Sequence, residues 1–279
     1  MRKHLSTIFL VLVLVLGVGI LLYPTVSDYW NSFHQSQAIA NYIEQLEAVD
    51  PVDYQREWDR AKAYNETLPQ KINRFVLSEE EYAEYESLLN LTGTGIMGYI
   101  EIPKISCSLP IYHGTDEAVL QIAVGHIEGT SLPIGGPGTH TVLSGHRGLP
   151  SAKLFTDLDQ MEEGDLFVIR VLNEIMTYEV DQILIVLPEE MDALSIDPEQ
   201  DYCTLVTCTP YGINSHRLLV RGRRTDNVEM EQMIKVVSDA NQIQPMLVAP
   251  VLAVPMLLIL LIWMMISTGK KQRRRKIKL

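Results

Sequence analysis

Two long apolar runs near the ends of the chain constrain its fold more than any other feature of the sequence. They cover residues 5–23 and 246–266, and each is long enough to cross a bilayer as a helix. Arg2 and Lys3 precede the first run, and seven Lys and Arg residues follow the second. Because basic flanks remain in the cytoplasm, we predict a two-pass cell-membrane protein with both termini cytoplasmic and the intervening residues outside.

Each apolar run has an alternative interpretation. The first could be a cleaved signal peptide, but it is long for one and is followed by Tyr23, Pro24 and Thr25 rather than by small residues at a cleavage site. The second, with its basic tail, resembles the wall-sorting signal of a bacterial surface protein. That interpretation needs an LPXTG-like pentapeptide upstream, and residues 239–243 (DANQI) do not supply one. We interpret both runs as anchors.

The region between the anchors is strongly acidic. Nine of the 23 Lys and Arg residues lie in the two tails, so the rest of the chain carries 14 basic and 35 acidic residues, a net charge of −21. Nucleic acid is therefore not an expected partner. The three cysteines are too few for a disulfide framework, and their odd number leaves at least one free thiol in an exported protein.

Residues 28–94 are predicted to form a helical segment, because apolar residues recur there at helical spacing among charged ones. Pro51 interrupts the pattern. Ser78 and Glu81 form a capping box that predicts a further helix over residues 79–89.

From Gly98 the pattern changes to short segments rich in β-branched residues, separated by Gly, Pro and Asp turns. The predicted strands lie in GYIEIPKIS, HTVLSGHRG, DLFVIRVL, MTYEVDQILIVLP, YCTLVTCTP and HRLLVRGRR. One short helix is expected over residues 150–161. Several short strands without long helices between them indicate a β-barrel or a sandwich.

The last two predicted strands place a thiol opposite a permanent cation. If they pair as a hairpin about Gly212 and Ile213, Cys208 falls directly opposite Arg217, with Cβ atoms about 5 Å apart. The guanidinium could then stabilise a thiolate or hold a developing oxyanion. On the residues alone, Cys208 could equally be a small buried side chain, since free cysteine is among the most buried residue types.

A thiol nucleophile usually needs an imidazole as base and later acid. His113, His126, His140 and His146 are all candidates, and each could instead be a structural hydrogen-bonding residue. His146 has a modest advantage because it follows a predicted strand and precedes a turn, where catalytic side chains concentrate.

The other two cysteines are interpreted as packing residues. Cys203 alternates to the strand face opposite Cys208, and Cys107 lies in the first strand region. A disulfide between Cys107 and Cys203 is left open.

The motif TLVTC, an arginine in the next strand and an upstream SGHRG resemble the sortases, membrane-anchored cysteine transpeptidases of Gram-positive bacteria. The resemblance covers about residues 95–224. GYIEIPKI, LPIYHGT, AVGHIEGTSLPIGG, LSGHRGLPSAKLFTDL and YGINSHRLLVRG are similar to the class C, pilin-polymerising members. The two-anchor layout and the helical segment before the barrel are also similar to that class.

The resemblance implies a mainly β fold, a closed eight-stranded sortase-type barrel preceded by an α-helical N-terminal segment, with a transmembrane helix at each end. It implies Cys208 as nucleophile, His146 as general acid and base, and Arg217 as the cation that orients substrate and stabilises the oxyanion. It also implies cleavage of an LPXTG-like sorting signal between Thr and Gly through a thioacyl enzyme, and transfer to a lysine amine of a pilin. Pilins or surface proteins carrying such signals are the expected partners.

The implied division of the chain is as follows: 1–27, tail and anchor; 28–94, helical segment; 95–226, catalytic barrel; 227–245, linker; 246–267, second anchor; 268–279, basic cytoplasmic tail. The acidic stretch 157–165 lacks the spacing of a calcium loop. No metal or other cofactor is expected.

One feature departs from the class C pattern. Those enzymes carry a lid before the barrel with an Asp-Pro-aromatic motif, whose Asp contacts the active-site arginine and whose aromatic covers the cysteine. The corresponding position here, within a lid region at 69–77, has Asn73, Arg74 and Phe75. The aromatic residue is kept and the carboxylate is missing, so a weaker lid is expected.

Two alternatives to pilin polymerisation remain. A housekeeping or class D-like sortase would attach proteins to cell-wall peptide, although such enzymes usually have only the N-terminal anchor. An inactive, membrane-tethered scaffold for pilus assembly would not need Cys208, His146 and Arg217 together.

Overall fold

The computed structural model describes residues 2–227. The predicted linker, second anchor and basic tail lie outside the described residues. The described residues form four α-helices, α1 (Arg2–Glu47), α2 (Pro51–Thr67), α3 (Glu79–Ser87) and the single-turn α4 (Glu117–Leu120). Within the described part of the chain, one helical segment, Phe9–Glu47, is long and apolar enough to cross a membrane.

Helix α1 continues from the apolar run into the helical segment without a break. Its C-terminal half packs on the barrel through Ile39, Tyr42 and Leu46, all of which are buried. The Tyr42 hydroxyl donates to the carbonyl of Met97 at 3.0 Å and accepts from the amide of Leu172 at 3.0 Å. The apolar run and the barrel are therefore joined by one continuous helix.

The caps of the next two helices follow from their sequences. Asp50 accepts a hydrogen bond from the amide of Val52 at 2.8 Å, and Pro51 occupies the first helical position, where its missing N–H costs nothing. The predicted capping box of Ser78 and Glu81 is confirmed. Helix α3 ends at Ser87, two residues before the predicted end.

Eight strands form a closed barrel in the order β1-β2-β3-β4-β7-β8-β6-β5, which confirms the expected architecture. Their bounds are β1 (Ile96–Ile102), β2 (Cys107–His113), β3 (Val124–His126), β4 (Thr139–Ser144), β5 (Leu166–Val171), β6 (Glu174–Val186), β7 (Asp201–Thr209) and β8 (His216–Thr225). The pairs β2–β3 and β4–β7 are parallel, and the other pairs are antiparallel. Every second side chain along the strands points into the barrel and fills its interior. The buried residues there include Ile100, Phe167, Tyr178, Leu205 and Val220.

The helix predicted over residues 150–161 is wrong. The segment is a loop with one 3₁₀ turn, Leu158–Gln160. Its apolar residues Ala152, Leu154 and Phe155 are buried. Leu154 has a φ of +40°, which a helix does not allow. The apolar residues of this segment belong to a loop that inserts them into the protein core, rather than to one face of a helix.

Candidate active site

The β7–β8 hairpin brings the thiol and the guanidinium together. Cys208 pairs with Arg217 across the two antiparallel strands, and Thr209 pairs with His216 beside them. The turn is closed by hydrogen bonds from the amides of Ile213 and Asn214 to the carbonyl of Pro210, at 3.1 and 2.9 Å. The predicted hairpin register is confirmed, so the two side chains project from the same face of the sheet.

His146 lies just beyond the end of β4, the parallel neighbour of β7. Ser144 pairs with Val206. Beyond that pair, the amide of Gly145 donates to the Val206 carbonyl at 3.0 Å, and the Thr207 hydroxyl donates to the Gly145 carbonyl at 2.8 Å. His146 lies two residues after Ser144, and Cys208 lies two residues after Val206. The parallel pairing therefore brings the imidazole to the level of the thiol.

Arg147 joins the loop of His146 to the end of β7. Its side chain is only 9% exposed and forms an ion pair with Asp159. Its Nη1 donates to the hydroxyl of Thr209, the residue after Cys208, at 3.3 Å. Its guanidinium also lies 5.9 Å from the ring centre of Tyr211 in the β7–β8 turn. These contacts hold the segments that carry His146 and Cys208 against each other.

The environment of His146 differs from that of the other candidate histidines. Its side chain is 28% exposed, and its Nε2 lies 3.9 Å from the Glu117 carboxylate. His126 is buried and donates from Nε2 to the carbonyl of Ser131 at 2.9 Å, and His140 donates from Nδ1 to that of Ser195 at 2.8 Å. Burial lowers the pKa of both to about 4, so they are neutral at pH 7.

The remaining histidines are less suited to act on Cys208. His113 hydrogen-bonds to backbone carbonyls, and burial lowers its pKa. His216, which is not among the four candidates, is next to Arg217 in β8 and therefore alternates to the other strand face. The alternation of side chains along a strand is the sequence signal that would have excluded His216 as the base for Cys208.

Arg217 is oriented by the backbone around it. Its Nη1 donates to the carbonyls of Asn214 and His216, at 3.3 and 3.1 Å. Among residues 2–227, no carboxylate lies within ion-pair distance of this guanidinium. Its other nitrogens are thus available to an incoming group.

An apolar surface adjoins the thiol on the outer face of the barrel. Val206 precedes Cys208 by two residues, so the two share a strand face. Val206 packs with Val142, Leu219 and Leu194 in a small buried cluster that is separate from the main core. The partly exposed Ile127, Leu184, Val186 and Ala193 pack against this cluster, and they form the apolar surface near Cys208.

The predicted lid region bridges two loops beside this cluster. Arg74 donates to the carbonyl of Leu194 at 2.7 Å. Its own backbone oxygen lies against Gly129, where a Cβ would approach it to 1.9 Å. The Phe75 ring lies 4.7 Å from the Arg74 guanidinium and is 37% exposed. Asn73 lies in the same turn, and its carbonyl accepts from the amide of Val76 at 3.0 Å.

The other two cysteines are free thiols, so they form no disulfide. Cys107 and Cys203 are buried, and burial raises the pKa of Cys107 to about 12 and that of Cys203 well above its usual value. Cys208 is the partly exposed thiol. Within residues 2–227, no group of three or more His, Cys, Asp and Glu side chains is placed to hold a metal ion.

Comparison with known proteins gives a consistent assignment. The sortase domain family matches residues 100–225. Among curated proteins, the chain is 32% identical to Sortase D of Bacillus subtilis (strain 168) over 130 residues and 29% identical to Sortase A of Streptococcus agalactiae serotype III over 117 residues. These matches cover 46% and 41% of this chain, and they span 63% and 47% of the relatives' own lengths.

Solved structures match over more of the chain. Sortase C1 from Streptococcus agalactiae is 50% identical, with a TM-score of 0.66, over 69% of this chain and 100% of that one. Sortase C-1 from Actinomyces oris is 44% identical, with a TM-score of 0.58, over 63% and 99% of the respective chains. Sortase C of Streptococcus pneumoniae is 42% identical, with a TM-score of 0.61, over 68% and 96%. The chain belongs to the sortase family of cysteine transpeptidases, and its structural neighbours at 42–50% identity are class C members of that family.

Proposed function

We propose that this protein is a membrane-anchored transpeptidase that cleaves an LPXTG-like sorting signal and joins the cleaved protein to a pilin lysine. Cys208 is the nucleophile, His146 the general acid and base, and Arg217 the cation at the oxyanion. The observation that carries the proposal is the pairing of Cys208 with Arg217 across β7 and β8, with His146 at the end of the adjacent strand.

The first half of the reaction forms a thioester. His146 takes the proton of the Cys208 thiol, and the sulfur attacks the carbonyl carbon of the signal's Thr. The negative charge that develops on the carbonyl oxygen is held by Arg217. The Thr–Gly bond then breaks, and the imidazolium of His146 gives its proton to the departing Gly amine. The product is a thioacyl enzyme and a released C-terminal fragment.

The second half transfers the acyl group. A lysine amine attacks the thioester carbon and His146 takes the proton that the amine loses. The Cys208 sulfur then leaves and receives this proton from His146, which restores the thiol. The energy of the cleaved peptide bond is conserved in the thioester, so no nucleotide is needed.

The apolar cluster beside the thiol fits the start of the signal. A Leu-Pro pair approaching Cys208 from its N-terminal side is apolar, and the partly exposed Ile127, Leu184 and Val186, which pack on the buried cluster, supply a matching surface. This surface would bind the signal while Arg217 orients its Thr carbonyl.

Similarity to three class C structures supports a pilin lysine as the acceptor. The match to Sortase D of Bacillus subtilis supports the alternative, transfer to a cell-wall peptide amine. The test is incubation with an LPXTG peptide plus either a pilin lysine peptide or a wall-peptide amine. Amide-linked product with the lysine peptide supports our proposal, and product with the wall amine alone supports the alternative. No product with either amine would favour an inactive scaffold.

We also propose that residues 69–77 cover the site through Phe75 and do so weakly, because Asn73 replaces the Asp that would contact Arg217. Phe75→Ala should then raise the rate at which a thiol reagent labels Cys208. Ile72→Ala is the matched control, because Ile72 lies in the same segment but is 98% exposed. Unchanged labelling in Phe75→Ala would show that Phe75 does not cover the thiol.

The proposed location is the outer face of the cell membrane, with two spans and both termini cytoplasmic. The exposed apolar run at the start of α1 supports the first span. Protease added to intact cells should digest an epitope inserted in the barrel and leave tags at both termini intact.

A further inference from the structure

The direction in which α1 crosses the barrel determines which end of the barrel is nearest to the apolar run. We call the end at which β4 and β7 finish the Cys208 end. The loop after His146 lies there, because the amide of Phe155 donates to the His146 carbonyl at 3.1 Å. Leu172, in the β5–β6 turn, lies at the opposite end. β6 begins at this turn, and its early residue Thr177 pairs with Thr225 at the finish of β8.

Helix α1, followed from its N-terminus, contacts first the Cys208 end of the barrel and then the opposite end. Asp28 accepts from the amide of Lys153 at 2.6 Å, and Asn31 donates to the carbonyl of Ser151 at 2.7 Å, so this turn of the helix lies at the Cys208 end. Fourteen residues after Asp28, Tyr42 bonds to Leu172 at the opposite end. The apolar N-terminal part of α1 therefore leaves the barrel at the Cys208 end.

The distance from the apolar run to this end is short. The run finishes at Tyr23, and Asp28 is five residues further, about 7.5 Å along a helix. Lys153 and the loop that carries His146 are thus held about 10 Å from the point where an inserted helix would emerge from the hydrocarbon core.

The same part of α1 has two distinct faces. Asp28, Asn31 and Gln35 occur at spacings of three and four and bond to the barrel. On the other side lies an aromatic face, defined by Tyr23, Tyr29, Trp30 and Phe33, whose side chains are between 51% and 64% exposed. At 100° per residue, the centres of the two faces are about 180° apart. The aromatic face therefore points away from the barrel.

We propose that the aromatic face lies in the headgroup layer of the membrane and that the Cys208 end of the barrel rests beside the bilayer surface. Tyr and Trp concentrate at membrane interfaces, and this face continues directly from the exposed apolar run on one unbroken helix. The headgroup layer is about 5–7 Å thick on each side. Phe33 lies about 15 Å beyond Tyr23 along the helix axis, so α1 must lean towards its aromatic face to immerse all four rings.

The consequence concerns substrate access, and it rests on the proposed function. A sorting pentapeptide that directly precedes a membrane segment of its own protein is confined to a few ångströms above the bilayer. A site at the opposite end of the barrel would lie about 20 Å higher, given the seven residue steps of β7 from Asp201 to Cys208. The orientation that we infer brings the thiol to the height of such a peptide.

The tryptophans supply a direct test in the full-length protein reconstituted in phosphatidylcholine vesicles. One variant keeps only Trp30 (W58F, W263F), and its matched control keeps only Trp58 (W30F, W263F). Trp58 lines a groove beside the start of β4, at the opposite end of the barrel. Lipids with a quencher near the headgroup should remove most of the Trp30 emission and leave that of Trp58 unchanged. An unquenched Trp30 in protein that co-floats with the vesicles would overturn the proposal and indicate that protein covers the aromatic face.

A second measurement reports the height of the site itself. A dye on Cys208 should transfer energy to acceptor lipids more efficiently than a dye on Glu199→Cys in a Cys208→Ala background, because Glu199 is exposed just before β7. Equal or reversed efficiencies would contradict the orientation. Transpeptidation of short soluble peptides in detergent needs no membrane, so loss of that activity would count against the proposed function and not against this inference.

Discussion

Replacing Arg217 should separate its chemical role from any structural one. Its Nη1 is engaged by the carbonyls of Asn214 and His216, at 3.3 and 3.1 Å, which leaves Nη2 and Nε to meet a substrate oxygen. A hydrogen bond to a charged group contributes about 1.5–3 kcal/mol. Arg217→Ala loses both donors and the charge, and loss of an oxyanion donor lowers kcat by about 10²–10³.

Arg217→Lys tests the geometry of the guanidinium. Lysine keeps the charge but cannot bond the turn carbonyls and present two further donors at once. The loss of one charged hydrogen bond predicts a decrease of about ten- to hundred-fold in kcat. The KM should change little, because the interaction strengthens as the oxyanion forms.

Arg221→Lys is the matched control. Arg221 lies four residues further along β8 on the same face and binds both carboxylate oxygens of Asp181, at 2.9 and 3.0 Å. It is remote from Cys208, so its replacement should cost stability and leave kcat within about two-fold. The assay is initial-rate transpeptidation with an LPXTG peptide and a lysine donor. Full activity of Arg217→Lys, or equal losses in the two variants, would refute the assigned role of Arg217.

Burial of the cysteines and histidines leads to two further predictions, and the close approach of the lid to Gly129 leads to a third. At pH 7–8, a thiol reagent should modify the native protein once, at Cys208, as judged by intact mass, because burial raises the pKa of the other two cysteines; modification of a second thiol before unfolding would contradict this. His126 and His140 have folded pKa values of about 4, below the unfolded value of about 6.5. The unfolded state therefore binds more protons, and stability present above pH 6.5 should be lost as the pH falls to 4, by up to about 3 kcal/mol per histidine. Urea midpoints measured across that range check it, and a flat profile would be inconsistent with buried neutral histidines. Gly129→Ala should displace the lid segment, because the new Cβ would meet the Arg74 carbonyl at 1.9 Å at a φ of +76°; faster labelling of Cys208 is the expected readout, and an unchanged rate would contradict it.

Local sequence signals predicted the elements whose stability is mainly local. The capping box of Ser78 and the helix break at Pro51 depend on neighbouring residues alone, and both were found. The two unpredicted strands lack such signals. β3 (Val124–His126) is three residues long, and β2 (Cys107–His113) contains Pro110, which weakens a strand pattern. Both strands form because pairing with their neighbours closes the barrel around its core.

The sequence predicted the candidate site in part, as it predicted the fold in part. The register of Cys208 with Arg217 follows from hairpin counting. The assignment of His146 required the family resemblance, because the burial of His126 and His140 depends on residues distant in sequence, such as Tyr85 and Ser195. The sequence did not predict that Arg147 holds the His146 segment against β7. This role depends on an ion pair with Asp159, which lies in the loop expected to be a helix.

The most direct test of the central claim is the mass of the trapped acyl enzyme. When the protein is mixed with an LPXTG peptide without an amine, the fragment ending in Thr should appear as an adduct on Cys208. A lysine donor should then remove it. Cys208→Ala should form no adduct, and His146→Ala should form it far more slowly. An adduct on another residue, or unimpaired turnover by Cys208→Ala, would contradict the account.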